Sequence, residues 1–463
     1  MIIGRSSPQT PKTIVRKREI EKRGGVLISL PFRNNPSGVV VVPSVRARLT
    51  IAGIALALVA AACAGSEPSS TSSESSTTVA PPTTGETDTG ATSTTVTDEG
   101  AALTATAADG WTLTTIGEGI KPVLALDPND NVGIAYLLER LDEGFVAYAD
   151  SASGWTTDTF VEGYFYGPIG LDFDSDGVPH VVWHDHQDVS FKQELGSLVY
   201  AVRTDAGWDQ IDGTDDGHDG WDSTLALGPD DTVHAAGIDP SQFGREDGVE
   251  YYRLSGGEFT VEAIGTGPLP YEFNVALAVD GDGEPALTYH DAEGQVLRFA
   301  RRQGGPWSVE TVDPEVGTGK YSSLAIDEEG RAHVTYLLQT GSTTGVVRYA
   351  VEEADGSWTI EDIAELDAIR TGFTGARRIT SLALAADGTP HVVFSDEATM
   401  FYGSRGEAGW EIAPVITAGS RPLGQLVSME LASDGSAHIA FYEVTDSDPL
   451  AGVIGYVSTD GAG

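Results

Sequence analysis

Seven aromatic residues recur at a nearly constant interval: Trp111, Trp155, Trp208, Phe259, Trp307, Trp358 and Trp410. Their spacings are 44, 53, 51, 48, 51 and 52, and 53 residues follow the last. Such a period means that each copy is one supersecondary unit, unable to bury its apolar face alone and stable only when stacked against its neighbours. Each aromatic leads an alternating segment, as in Trp111-Thr-Leu-Thr-Thr-Ile116 and Trp307-Ser-Val-Glu-Thr-Val312. An apolar segment follows, such as Val275-Ala-Leu-Ala-Val-Asp280 or Ser323-Leu-Ala-Ile-Asp327, then an acidic glycine turn such as Asp174-Ser-Asp-Gly177 or Asp280-Gly-Asp-Gly283. Two more alternating segments close the unit, typified by Pro390-His-Val-Val-Phe394 and Leu198-Val-Tyr-Ala-Val-Arg203. A period of two, no helical period and tight glycine turns give four short antiparallel strands per copy. Seven such sheets predict an all-β fold, a seven-bladed β-propeller over residues 108–463. The last segment, Val453-Ile-Gly-Tyr-Val457, stops one strand short, and the first copy opens on an orphan outer strand at Trp111. The N-terminal strand is therefore expected to complete the last blade and leave no open edge. An open solenoid, the alternative, would leave both terminal faces uncapped.

The N-terminal region reads differently. Residues 45–62 contain Arg46 and Arg48 followed by the apolar run Leu49–Ala62, the layout of a secretory signal and too short for a permanent membrane span. Ala60-Ala61-Ala62-Cys63 resembles the lipobox of bacterial lipoproteins, which implies acylation of Cys63 and anchoring on the outer side of the cell membrane. Cys63 is the only cysteine, so it has no internal disulfide partner. Residues 1–44 fit no signal n-region and read as an upstream extension, with translation expected to start near Val45. Residues 63–107 form a tether: 66–100 are almost all Ser, Thr, Pro, Gly and acids, unable to build a core and able to span roughly 30 Å.

Charge narrows the partners. The chain has 27 basic and 69 acidic residues, a net charge of −42. That sign makes nucleic acid and anionic membrane surfaces poor partners, so no nucleic acid is expected and membrane contact is expected through the anchor alone. After Cys63 the only lysines are Lys121, Lys192 and Lys320. No cofactor or resident metal is indicated, and a monomer is expected.

Positions that repeat serve the blade. His180 recurs as His234, His333, His391 and His438, with Gly133 and Ala286 in the remaining copies, and is expected to hydrogen-bond within the scaffold. Asp185 aligns with Asp239, Asp291, Asp396 and Glu443 and reads as a loop-bracing acceptor. His184 has a counterpart only in His290, and His186 has none. On a strand both would share one side and could hold an ion with Asp185; two solvated histidines are the simpler reading. The pattern S-L-A-h-D-x-x-G-x-P-H-h-h-Y-x-D, then L-x-Y-A, then G-x-W, resembles bacterial secreted propellers of the broad sialidase-like group. That resemblance implies architecture and leaves activity open, since the chain has neither six blades nor an Arg-Ile-Pro segment.

In a propeller, the blade-joining and second-to-third-strand loops share one face. Here those loops vary among copies while the others stay short, which marks that face for binding. Its candidates are Tyr164, Tyr166, His184, His186, Asp219, Trp221, Tyr271, His290, Lys320, Arg370, Arg377, Arg378 and Arg421. Aromatic rings that stack on sugars beside guanidinium groups that hold carboxylates suit an acidic glycan or an extracellular protein. With no nucleophile-elbow or redox motif, a non-catalytic binding or scaffolding module is the favoured expectation. The alternative is a glycan-active enzyme, a sialidase-like hydrolase or a polysaccharide lyase, using the same face.

Overall fold

The computed structural model describes residues 102–139, 144–163, 167–186, 196–213, 220–238, 248–265, 275–369, 378–447 and 450–459. They form seven antiparallel sheets and, among the described residues, no helix. The innermost strands of blades one to seven are Ile120–Leu126, Gly170–Phe173, Trp221–Leu227, Ala276–Val279, Lys320–Ile326, Thr380–Leu384 and Ser428–Leu431. Blade five shows the strand order: Lys320–Ile326, Ala332–Gln339, Gly345–Glu352 and Trp358–Leu366 pair in sequence order.

The ring closes as expected. Trp111–Glu118 pairs with the last strand, Leu450–Thr459, in the register Trp111↔Thr459 and Leu113↔Val457, and so supplies the outer strand of blade seven. One strand was not foreseen: Thr106–Ala107 adds a fifth strand to blade six through Thr106↔Thr417 and Ala107↔Ile416. Two residues are too few to carry an alternation signal, and their pairing depends on a surface made elsewhere in the chain.

The recurring aromatics bind each blade to the one before it. Trp111, Trp155, Trp208, Phe259, Trp307, Trp358 and Trp410 pack against Tyr402, Tyr456, Tyr148, Tyr200, Tyr251, Phe299 and Tyr349, with centroids 5.0–6.0 Å apart. Such pairs contribute about 0.5–1.5 kcal/mol each beyond their burial. Several of these indoles also donate to a carboxylate of the preceding blade, as Trp208 Nε1 does to Asp158 at 3.0 Å and Trp358 Nε1 to Glu310 at 2.9 Å.

The same third-strand tyrosines explain the repeated histidine. Tyr200, Tyr251, Tyr349, Tyr402 and Tyr456 place Oη 2.5–2.6 Å from Nδ1 of His180, His234, His333, His391 and His438. In His180 and His333, Nε2–H donates to the turn carboxylates of Asp174 and Asp327, so the tyrosine O–H donates to Nδ1. In blade four, where Ala286 replaces the histidine, the tyrosine is also gone and Phe299 stands in its place. A buried hydroxyl without a partner would be costly there; blade one, where Gly133 replaces the histidine, keeps its tyrosine as Tyr148. The serine of the S-L-A motif has a role as well. Ser323, Ser381 and Ser428 accept through Oγ from Leu382, Met429 and Leu124 N–H, each in the next blade, at 3.0–3.1 Å.

Candidate functional site

Blades one, three and five depart from the unit at the start of their innermost strands. Their registers shift between Ile120 and Val123, Trp221 and Thr224, and Lys320 and Ser323. At each bulge one non-glycine residue takes the left-handed conformation: Lys121 (φ 54°), Asp222 (φ 53°) and Tyr321 (φ 56°). L-residues occupy that region at a cost of about 1–3 kcal/mol, and such strain persists where the fold holds a side chain in a set direction. A glycine two residues earlier makes room: a Cβ on Gly220 would lie 2.8 Å from Leu198 Cβ, and one on Gly319 would lie 2.7 Å from Leu297 Cα. The signal was present in the sequence as Gly119-Ile-Lys121, Gly220-Trp-Asp222 and Gly319-Lys-Tyr321. It shows only when alternate copies are aligned.

All three bulges lie on the variable-loop face, where the innermost strands begin. Lys121 is 5% and Asp222 1% exposed, and Ser223 is buried beside them. Arg378, just ahead of the innermost strand of blade six, lines the central channel. Burial pushes the Asp222 carboxyl up to about 8, against the opposing pull of the nearby Lys121 and Arg378 charges. Burial also lowers the Arg378 guanidinium from its usual range, with Asp222 opposing that shift. Neither carboxyl oxygen of Asp222 has a hydrogen-bond partner among the described residues. Gly167 (φ 82°) closes over it, since a Cβ there would come within 2.8 Å of Asp222 Oδ1.

Below the mouth the channel encloses about 120 Å³, walled by Thr224, Ser322, Ser323, Ser381 and Glu430 among others. Small-molecule sites run to about 300–1,000 Å³, so the lumen is too small for such a ligand and suits water. Glu430 and Asp172 occupy the third position of their innermost strands, where the other five blades have alanine. Asp172 accepts from Leu227 N and Phe173 N at 2.8 Å, and burial raises it to about 6. Glu430 opens to the lumen, yet the enclosing wall and then the Asp172 charge push it up to about 8. Neither acid was singled out from the sequence, although the replacement of alanine in two copies would have marked both.

Of the residues expected on the face, Arg378 is at the mouth and Trp221 immediately precedes Asp222. The histidines are not presented to solvent as expected. His184 is 1% exposed and its ring lies 4.8 Å from that of Trp221; His290 is buried and its Nδ1–H donates to the Thr318 carbonyl at 2.7 Å. Burial holds His290 down to about 4, so it is neutral at pH 7. His184 thus meets a side chain of the next blade, and His290 the segment that leads into the next blade. His186 ends the strand Pro179–His186, and its side chain is outside the described residues. Among the described residues no cluster of metal-ligating side chains forms.

Lys320 hydrogen-bonds Gln339 Oε1, within the blade. Arg421 braces the incoming chain: it donates to the Ala102 carbonyl at 3.2 Å and lies 3.6 Å from the buried Glu443. Glu443 in turn accepts from Thr104 N at 2.8 Å and from Ala105 N. The bracing expected at this repeat position is also seen at Asp291, which accepts from Glu293 and Gly294 N–H, and at Asp396, which accepts from Ala398 and Thr399 N–H. Cys63, Tyr164, Tyr166, Asp219, Tyr271, Arg370 and Arg377 are outside the described residues.

No protein-family model and no curated protein matches the chain. Among solved structures, an ulvan lyase of a polysaccharide lyase family, bound to -[GlcA(1-4)Rha3S]-, is similar with a TM-score of 0.50 at 10% identity, over 73% of this chain and 93% of its own. The α-L-arabinanase of Penicillium chrysogenum, complexed with arabinobiose, aligns at 13% identity with a TM-score of 0.44, over 63% of this chain and 96% of its own. A protein of unknown function from Dyadobacter fermentans gives 0.42 at 11% identity, over 75% and 99%. At these identities the likeness is one of fold.

Proposed function

We propose that this propeller takes an anionic glycan on its variable-loop face, seating an acidic group of the sugar at the channel mouth. The observation that carries the reading is the placement of Lys121 and Arg378 around Asp222 at the ring centre. In a chain of net charge −42, cations gathered at one concave point focus an otherwise repulsive field. A guanidinium there can grip a carboxylate or sulfate through paired N–H donors. The -[GlcA(1-4)Rha3S]- named for the ulvan lyase is a ligand of this chemical class; the reading itself rests on the charges.

Calorimetric titration of the full-length protein with oligoglucuronate tests it. Binding that weakens as salt rises, and at least about tenfold on Arg378→Ala, is expected for a charge-assisted contact. Equal binding of neutral oligosaccharides, or affinity unchanged in Arg378→Ala and Lys121→Ala, overturns it. Turnover of the glycan at the same mouth is a second reading, favoured by the buried Asp222 carboxyl, a group suited to proton transfer. New reducing or unsaturated ends after incubation would distinguish turnover from binding. We also propose that Cys63 carries the lipid anchor of an exported protein; Cys63→Ser would then release the protein from the membrane fraction.

A further inference from the structure

The channel mouth holds an unusual set of groups. Asp222 is 1% exposed, pinned by a left-handed backbone and covered by Gly167, with two cations in electrostatic range. An ionised carboxylate so placed would be expected to take hydrogen bonds from those cations, yet neither oxygen has a partner among the described residues. That arrangement suits a neutral carboxyl group whose O–H is left to meet an incoming acceptor. The groups facing it are Lys121 from blade one and Arg378 from blade six; from blade two, His184 lies against the adjoining Trp221.

We propose that Asp222 is the specificity-determining acid of the mouth: it donates its O–H to the bound anion, so that anion binding and retention of this proton are coupled. This deepens the acidic-glycan reading and rests on it. Three donors, the Lys121 ammonium, the Arg378 guanidinium and the Asp222 carboxyl, then converge on one acidic group of the sugar. When Asp222 is ionised, its charge opposes the anion and its hydrogen bond is lost, so deprotonation and release go together. No bond to carbon changes; one proton is held at pH 7 in the complex and lost to solvent when alkali empties the site. The burial-driven rise of this carboxyl places the change near the upper end of the physiological range.

The test is calorimetry of glucuronate and oligoglucuronate against the full-length protein from pH 6 to pH 9, in buffers of different ionisation enthalpy. The expected result is proton uptake on binding at pH 8, with affinity falling about tenfold between pH 7 and pH 9 as one coupled proton is lost. Asp222→Asn keeps the shape and a donor but cannot titrate, and should bind with a flat pH profile and no proton uptake. Circular dichroism verifies its fold, and Asp222→Ser, a smaller donor, serves if the asparagine variant does not fold. A pH profile or proton count unchanged in the variant overturns the inference and leaves the acidic-glycan reading standing. No binding of either sugar by the wild type at any pH overturns both.

Discussion

Replacing Asp222 with asparagine should stabilise the protein at pH 7, by an amount that shrinks as pH falls. In the unfolded chain the carboxyl has its ordinary pKa of 3.8, and burial raises it to about 8 in the folded protein. Above pH 3.8 the unfolded state therefore binds fewer protons than the folded state, so stability falls as pH rises and the loss is complete once pH passes the folded value. At about 1.4 kcal/mol per pH unit, the accumulated loss is about 2 kcal/mol at pH 5 and about 4 kcal/mol at pH 7. Asparagine avoids this loss but leaves its own buried amide short of partners, at a cost of about 1–3 kcal/mol that does not vary with pH. The variant-minus-wild-type difference should thus grow by about 2–3 kcal/mol from pH 5 to pH 7 and level off above pH 8. A domain of this size shifts by roughly 2 °C per kcal/mol, so the gap in melting temperature should widen by about 5 °C. Paired melts of the two proteins at intervals across that range provide the assay. A gap that stays constant from pH 5 to pH 8 would refute the reasoning, since it would mean that Asp222 is ionised throughout.

Other perturbations separate ring, scaffold and entry contacts. Arg348→Ala removes the cation 3.0 Å from the buried Asp313, which also accepts from Tyr336, and should cost about 3–5 kcal/mol by chemical denaturation. Trp410→Ala deletes both the edge contact with Tyr349 and the donor to Glu361, and should cost about 3–5 kcal/mol in the same assay. Glu443→Ala should free the segment at Thr104–Ala105, so that limited proteolysis cuts near residue 104 faster than in the wild type while the remaining cleavage pattern is unchanged. On the acid side, burial holds His234 down to about 4, so the unfolded chain takes up the proton first. Stability should fall as pH drops from 6.5 towards 4, and His234→Gln should reduce that slope in pH-dependent unfolding.

What could be read in advance followed from repetition. The aromatic period, the turn glycines and the incomplete last copy determined seven blades and their closure, because each copy meets nearly the same neighbours and the same local pattern serves seven times. The histidine shared by five copies was legible as scaffold for the same reason, although its tyrosine partner emerged only from strand pairing. Asp291, Asp396 and Glu443 could be read as braces from their shared position. What Glu443 braces, the entering chain at Thr104, depends on a segment that lies outside the repeat and is brought back by closure of the ring.

The site was much less legible. Arg378 could be named from composition and loop variability, while Lys121 and Asp222 looked like ordinary polar residues at the start of a strand. They are 101 positions apart in sequence, in alternate blades, and only the closed ring brings them with Arg378 around one point. His184 and His290 illustrate the opposite case. Their rarity among the copies suggested a role on the surface, but neighbouring blades bury them, and burial depends on packing between units rather than on the pattern within one. The sequence alone thus determined the architecture, since local periodicity and turn chemistry are properties of a single copy. The tertiary structure decided which unrepeated residues meet and which carboxyl loses its water, because proximity and desolvation arise only when different blades close around a common axis.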